Sequence, residues 1–305
     1  KESLQGCIFK DLAFQQQIAP ASCEHAKFSI KRCAFYDIKA STDGGAIHLV
    51  SNGDFISKNC LFVKCTTSSA HAGSVYANVK HYEMDRNCFV RSHSSQQYMT
   101  FFLGTNDASC QNRSVIYQCA PFPIGIYCVG ISYGPSFLMR EYNASDSQIG
   151  DRQILICHSM QGMSTHFHGT HFNNTATCLI SAQSNNYNLG GTSFEECNYI
   201  GNRRTSSSFT HFIHSHQATL QFVGSVAIGN NHQVLAGSYG TVKIDISGCH
   251  FCSNGFASPA NGRPCIPTYI LNVPILGQCA KSSRFTVDSE GRVMFTCLLV
   301  HLACA

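Results

Sequence analysis

Apolar residues along this chain recur at alternate positions in short runs. Ile47 and Leu49, and then Val75, Ala77 and Val79, keep a period of two, the spacing that sends successive side chains to opposite faces of a strand. Glycine precedes such runs, as Gly45 and Gly73 do, where it admits backbone conformations that a side chain would obstruct. No stretch combines helical spacing with helix caps. The pattern predicts short strands separated by turns.

The runs belong to a repeat of 27 to 28 residues. Phe28-x4-Cys33-Ala34-Phe35 returns as Phe55-x4-Cys60-Leu61-Phe62 and then as Tyr82-x5-Cys88-Phe89. Gly45-Ala46-Ile47-His48-Leu49 returns as Gly73-Ser74-Val75-Tyr76-Ala77, and a further 28 residues reach Phe101-Phe102-Leu103. A unit with two or three short strands cannot bury its apolar face alone, whereas stacked units can, each strand bonding to its copy in the next coil. The expected fold is all-β, a right-handed parallel β-helix. With neighbouring strands roughly 4.8 Å apart, ten or so coils give a rod about 50 Å long. Phe28, Phe55 and Tyr82 would form one ladder, Cys33, Cys60 and Cys88 another, with Gly45 above Gly73.

The later repeat is looser. Phe194-Glu195-Glu196-Cys197-Asn198, Phe222-Val223-Gly224-Ser225 and Cys249-His250-Phe251-Cys252 look like one turn at irregular intervals. Cys249-x-Phe251 restores the Cys-x-Phe of the first coils. Pro121, Pro123 and Pro135 mark one interruption, and Pro259, Pro264, Pro267 and Pro274 another, because proline cannot donate in a central ladder. A single domain over 1–305 is expected, most regular over 28–105, with an irregular, disulfide-rich part or cap over 253–305.

Charged residues make up 12% of the chain, against about a quarter in an ordinary domain. The net charge of +4 is spread without long runs, which argues against nucleic acid as a partner. No run approaches the ~18 apolar residues of a spanning helix. The chain opens at Lys1 without a methionine, in keeping with a removed leader or a piece of a longer ectodomain. Eighteen cysteines and sequons at Asn112, Asn143 and Asn173 point outside the cell, through the secretory pathway to the medium or the cell surface. Disulfides are expected mainly among Cys249, Cys252, Cys265, Cys279, Cys297 and Cys304, with other cysteines packing as small hydrophobes.

Candidate chemistry is sparse. His166-Phe167-His168-x2-His171 and His211-x2-His214-Ser215-His216 could set histidines side by side, but no carboxylate pattern completes a metal site. The adjacent Glu195 and Glu196 would face opposite sides of a strand, and no paired-aspartate motif of a polysaccharide hydrolase is visible. Tyr142, Tyr187 and Tyr199 lie in polar surroundings and could touch a ligand. No catalytic residue, metal or cofactor is assigned.

Gly44-Gly45-Ala46-Ile47 and turns such as Phe251-Cys252-Ser253-Asn254 resemble the GGA(I/L/V) and FxxN repeats of polymorphic outer-membrane proteins. Those repeats occur in bacterial autotransporter adhesins and in surface proteins of protist parasites. The resemblance covers 28–105 well and 165–255 loosely, and it departs from the family in that most Phe-x-x positions carry Cys, Ile or Thr in place of Asn. It implies a β-helical passenger or ectodomain in adhesion or surface coating. The expected function is therefore a non-enzymatic surface or adhesin-like protein, engaging a protein or glycan on a cell surface. The alternatives are a filament subunit joined end to end to copies of itself, and a β-helical polysaccharide lyase or hydrolase.

Overall fold

The computed structural model describes residues 7–10, 13–15, 27–68, 71–95, 100–119, 129–149, 153–159, 161–184, 190–205, 211–232, 234–239, 243–252, 285–287 and 293–295. Within them the chain winds as a parallel β-solenoid. Two sheets of ten strands and one of eight are built by pairing each strand with its counterpart in the next coil. A coil runs from a first-sheet strand (Lys27–Lys31) to a second-sheet strand (Ala34–Tyr36), a short strand (Lys39–Ala40) and a third-sheet strand (Ile47–Val50); Asp54–Lys58 then opens the next coil. Among the described residues the one antiparallel pair is Phe285–Val287 with Val293–Phe295.

Two sharp corners flank the second-sheet strands from Ala34–Tyr36 to Val226–Ile228, and each corner is turned by one residue with positive φ. At the first corner these are Arg32, Asn59, Arg86, Arg113, Glu141, His168 and Glu196, followed by Gly224 and Gly248. At the second they are Asp37, Lys64, Arg91, Gln118, Asp146 and Asn173, followed by Gly201 and Gly229. Left-handed backbone costs an ordinary residue about 1 kcal/mol or more. The stack holds it in place because the corner N–H donates to a carbonyl of the next coil, as Arg86 does to Asn112 at 3.0 Å and Lys64 to Val90 at 2.9 Å. Each kink is thus tied into the ladder.

Stacking in register puts like on like inside. Phe35, Phe62 and Phe89 lie nearly parallel, with centroids 5.0 and 4.9 Å apart, and Phe28 meets Phe55 at 5.9 Å. Phe28, Phe55 and Tyr82 form the expected ladder, and Phe194 and Phe222 continue the theme farther along. Each of these rings is fully buried, and burying one contributes roughly 1.5–3 kcal/mol.

The residue after each second corner also points inward, giving Ile38, Cys65, Ser92, Cys119, Ser147, Asn174, Asn202 and Asn230. The asparagines form a ladder. The Ser147 N–H donates to Asn174 Oδ1 at 3.1 Å, the Asn174 N–H to Asn202 Oδ1 at 3.0 Å and the Asn202 N–H to Asn230 Oδ1 at 2.9 Å. Their Nδ2 groups donate to Ala144, His171 and Tyr199 carbonyls. An asparagine here supplies both an acceptor and a donor to backbone that the corner has left without strand partners. The residue three places before each asparagine, His171, Tyr199 or Ala227, fills the core, and the asparagine closes the corner. In the Phe251-Cys252-Ser253-Asn254 turn, Ser253 and Asn254 lie outside the described residues.

Two sequence registers need correction. Cys88 pairs with Leu61 in the second sheet, so it lies outside the Cys33 and Cys60 column, whose next member is Asn87. Asn87 Oδ1 accepts the Cys60 N–H at 3.0 Å; an extra residue between Tyr82 and its cysteine had shifted that cysteine by one place. Phe101 stands opposite Val75, two residues out of the step read from glycine, because the third corner varies in length. Gly45 and Gly73 do stack: a Cβ on Gly45 would overlap the Gly73 carbonyl.

Two substitutions test this scheme by urea unfolding. Phe62→Ala should cost about 3–5 kcal/mol, since it opens a cavity between two stacked rings. Asn202→Ala should cost about 1–3 kcal/mol, because it strands the Asn174 N–H and the His171 carbonyl.

Candidate binding faces and a buried polar centre

The histidine cluster read from the sequence is split by the corners. His166 ends up inside the first sheet and His171 inside the second, both buried, while His168 turns the corner between them and meets Glu196 Oε2 at 2.6 Å. His166 Nε2 lies 3.2 Å from Cys157 Sγ, and Cys197 Sγ donates to the His166 carbonyl at 3.3 Å. Tyr142 and Tyr199 are buried beside them, which corrects their reading as ligand contacts; Tyr187 lies outside the described residues.

A cysteine beside a histidine invites comparison with a nucleophile and its base, but burial decides against it. It lowers the pKa of both His166 and His171 to about 3 and pushes the Cys197 thiol up to about 12. An activated thiolate needs the reverse, a cationic and partly open setting. Among the described residues no group of three His, Cys, Asp or Glu could hold a metal ion. This centre packs the core.

Among the described residues Cys60, Cys65, Cys110, Cys119, Cys197 and Cys249 carry free thiols. Cys249, expected in a disulfide, donates instead to the Ser247 carbonyl at 3.4 Å. Cys88 is disulfide-bonded. The remaining bridge candidates fall outside the described side chains: Cys252, Cys265, Cys279, Cys297 and Cys304. The sequons also differ. Asn143 is fully buried in a second-sheet strand and has no room for a glycan, whereas Asn112 is half-buried and Asn173 is exposed on a corner.

Chemistry that can meet a partner lies on the outside, sorted by sheet. None of the eight strands of the third sheet contains Asp, Glu, Lys or Arg. Its outward positions His48, Tyr76 and Phe102 stand in register. Tyr76 and Phe102 stack at 4.9 Å and 12°, and His48 meets Tyr76 edge-on at 5.2 Å. His71, on the neighbouring loop, comes within 6.0 Å of Tyr76 and 6.4 Å of Phe102. In the adjoining row Val50 is 63% exposed and Tyr133 40%. Farther along the sheet His214 is half-buried and His216 exposed. Alternation along the strands signals this outward row, but the sequence did not single it out, because Tyr76 and Phe102 read there only as strand residues.

The first sheet carries charge instead. Glu83 and Asp85 share one strand; Lys58 reaches Glu83 at 2.5 Å, and Arg113 holds both oxygens of Asp85 at 2.9 and 3.0 Å. The half-buried Cys110 sits near them, its thiol pKa raised first by burial and then by Glu83. Glu195 lies on the same outer face, where it accepts from Ser193 Oγ at 2.8 Å, while Glu196 is swung onto the corner. The two glutamates therefore do not take opposite faces of one strand, because the strand ends between them.

The fold and its faces define a parallel β-solenoid with an uncharged aromatic side and a charged side. No family model, curated protein or solved structure matches the chain, and no helix among the described residues is long and apolar enough to cross a membrane.

The buried histidines set an acid limit. They are neutral in the fold down to about pH 3, whereas in the unfolded chain they take up protons near pH 6.5. Stability from this source is full above about 6.5 and falls as the pH drops towards 3. His166→Phe with His171→Tyr, which match the neighbouring rungs Phe194 and Tyr199, should flatten the decline when urea midpoints are compared at pH 7 and pH 4.

Proposed function

We propose that this chain is a non-enzymatic, extracellular recognition protein of adhesin type, and that the uncharged face of the eight-stranded sheet is its binding surface for a neutral glycan. The observation that carries the reading is the outward stack of His48, Tyr76 and Phe102 beside an eight-stranded sheet without a charged side chain. Aromatic faces spaced by one coil suit the C–H faces of sugar rings, and His and Asn at the margins supply hydrogen bonds to hydroxyls. A rigid sheet holds these groups in place without a loop to order, which lowers the cost of binding. The resemblance to adhesin and surface-protein repeats supports the same reading.

A second reading, the filament subunit, has one observation in its favour. Ile244 and Ile246 continue interior columns in the last first-sheet strand, yet are 42% and 40% exposed. Stacking on another copy would cover them.

Binding to a neutral glycan array should be lost in Tyr76→Ala/Phe102→Ala with the thermal midpoint lowered only slightly, since both rings face outward. Retained binding in that double variant would refute the proposed face. Growth of end-to-end polymers with concentration in negative-stain images would favour the filament.

A further inference from the structure

The first corner holds a second surface with different chemistry. Five successive coils each place a cation there: Lys31 with Arg32, then Lys58, Arg86, Arg113 and Arg140. Lys31, Lys58 and Arg140 end their first-sheet strands, while Arg32, Arg86 and Arg113 turn the corner. Strand pairing runs Lys31, Lys58, Asp85, Asn112 and Arg140 in one column, and Arg32, Arg86 and Arg113 stand in the adjacent corner column, so the cations form a band two residues wide parallel to the stack, roughly 4.8 Å per coil and about 19 Å in all. The band then ends. The following two coils bring Phe167 with His168, then Glu195 with Glu196.

Internal pairing consumes only part of this charge. Lys58 is engaged by Glu83 and Arg113 by Asp85. Lys31, Arg86 and Arg140 are exposed, and Glu141 is the one further exposed carboxylate on the same five corners. A narrow band of cations interrupted by carboxylates matches a linear polymer with widely spaced anionic groups. The phosphate backbone of nucleic acid, with its dense charge, would meet Glu83, Asp85 and Glu141 at close range. An arginine fork takes a carboxylate or sulfate through two parallel hydrogen bonds.

We propose that this corner ridge binds a linear anionic polysaccharide, carboxylated or sulfated, lying along the stack from Lys31 to Arg140. The site is independent of the aromatic face and would let one solenoid hold a charged and a neutral glycan on different sides.

Surface plasmon resonance on the whole chain tests this with chondroitin sulfate and hyaluronan, with single-stranded DNA and anionic vesicles as competitors. Affinity should fall as salt rises, because the contacts are exposed charges. Arg86→Gly, which suits the positive φ, and Arg140→Gln should each weaken binding up to about five-fold, the scale of one exposed ion pair, and the triple variant with Lys31→Gln should abolish it. Lys39→Gln/Arg203→Gln, which removes two exposed cations elsewhere, should leave it unchanged. Binding of chondroitin sulfate alone would specify sulfate, and binding of hyaluronan as well would specify carboxylate; either supports the ridge. Absence of binding to both glycans at low salt, equal losses in the control variant, or tighter binding to DNA or vesicles than to either glycan would overturn it. Circular dichroism of each variant separates lost binding from lost folding.

Discussion

Every feature of this molecule depends on one constraint, the in-register hydrogen bonding of each coil to the next. Once Phe28 is opposite Phe55 and Phe55 opposite Tyr82, every other residue in those coils has its neighbour fixed, because a slip of one position would turn the interior row outward. A parallel stack therefore multiplies whatever the repeat contains. A favourable residue is favourable in each coil, and an unfavourable one is repeated as often. The positive-φ corners show the second case. The strain of Arg32, Asn59, Arg86 and their counterparts is tolerated because each corner N–H finds a carbonyl in the neighbouring coil.

The same constraint explains how so many polar groups can be buried. An isolated buried asparagine would leave donors and acceptors unmet. Stacked on Asn202 and Asn230, Asn174 has a partner on its own column and a carbonyl across the corner. Where the column holds sulfur, as at Cys65 and Cys119, the group is small and weakly polar, and thiols donate to nearby carbonyls. Cysteine and asparagine are thus two solutions to one corner. This gives a reason for the high cysteine count that does not involve disulfides.

Outside, alignment of equivalent positions sorts chemistry into stripes. The first sheet and its corner gather lysine, arginine and carboxylates, while the third sheet gathers histidine and aromatic rings and excludes charge. The proposed neutral-glycan face and the proposed anionic ridge are consequences of this sorting. Glu83 and Asp85, two carboxylates on one strand, are each taken up by a cation of an adjacent coil.

The sequence by itself determined the strand period, the coil length and the inward residues of the first coils, because burial of an alternating face repeats visibly every 27 or 28 residues. It also held the Asn174, Asn202 and Asn230 signal in plain form, hidden because the residue three places before each is His, Tyr or Ala in turn. Tertiary structure alone decided what lies side by side. Cys88 moved off its column by one residue, His166 and His171 parted across a corner, and Tyr142 and Tyr199 went inside although polar residues surround them in sequence. Asn143, a sequon like any other to the eye, proved to be buried. Spacing along the chain records the period of a coil, but the position of each corner within it is set by which backbone groups find partners in the next coil.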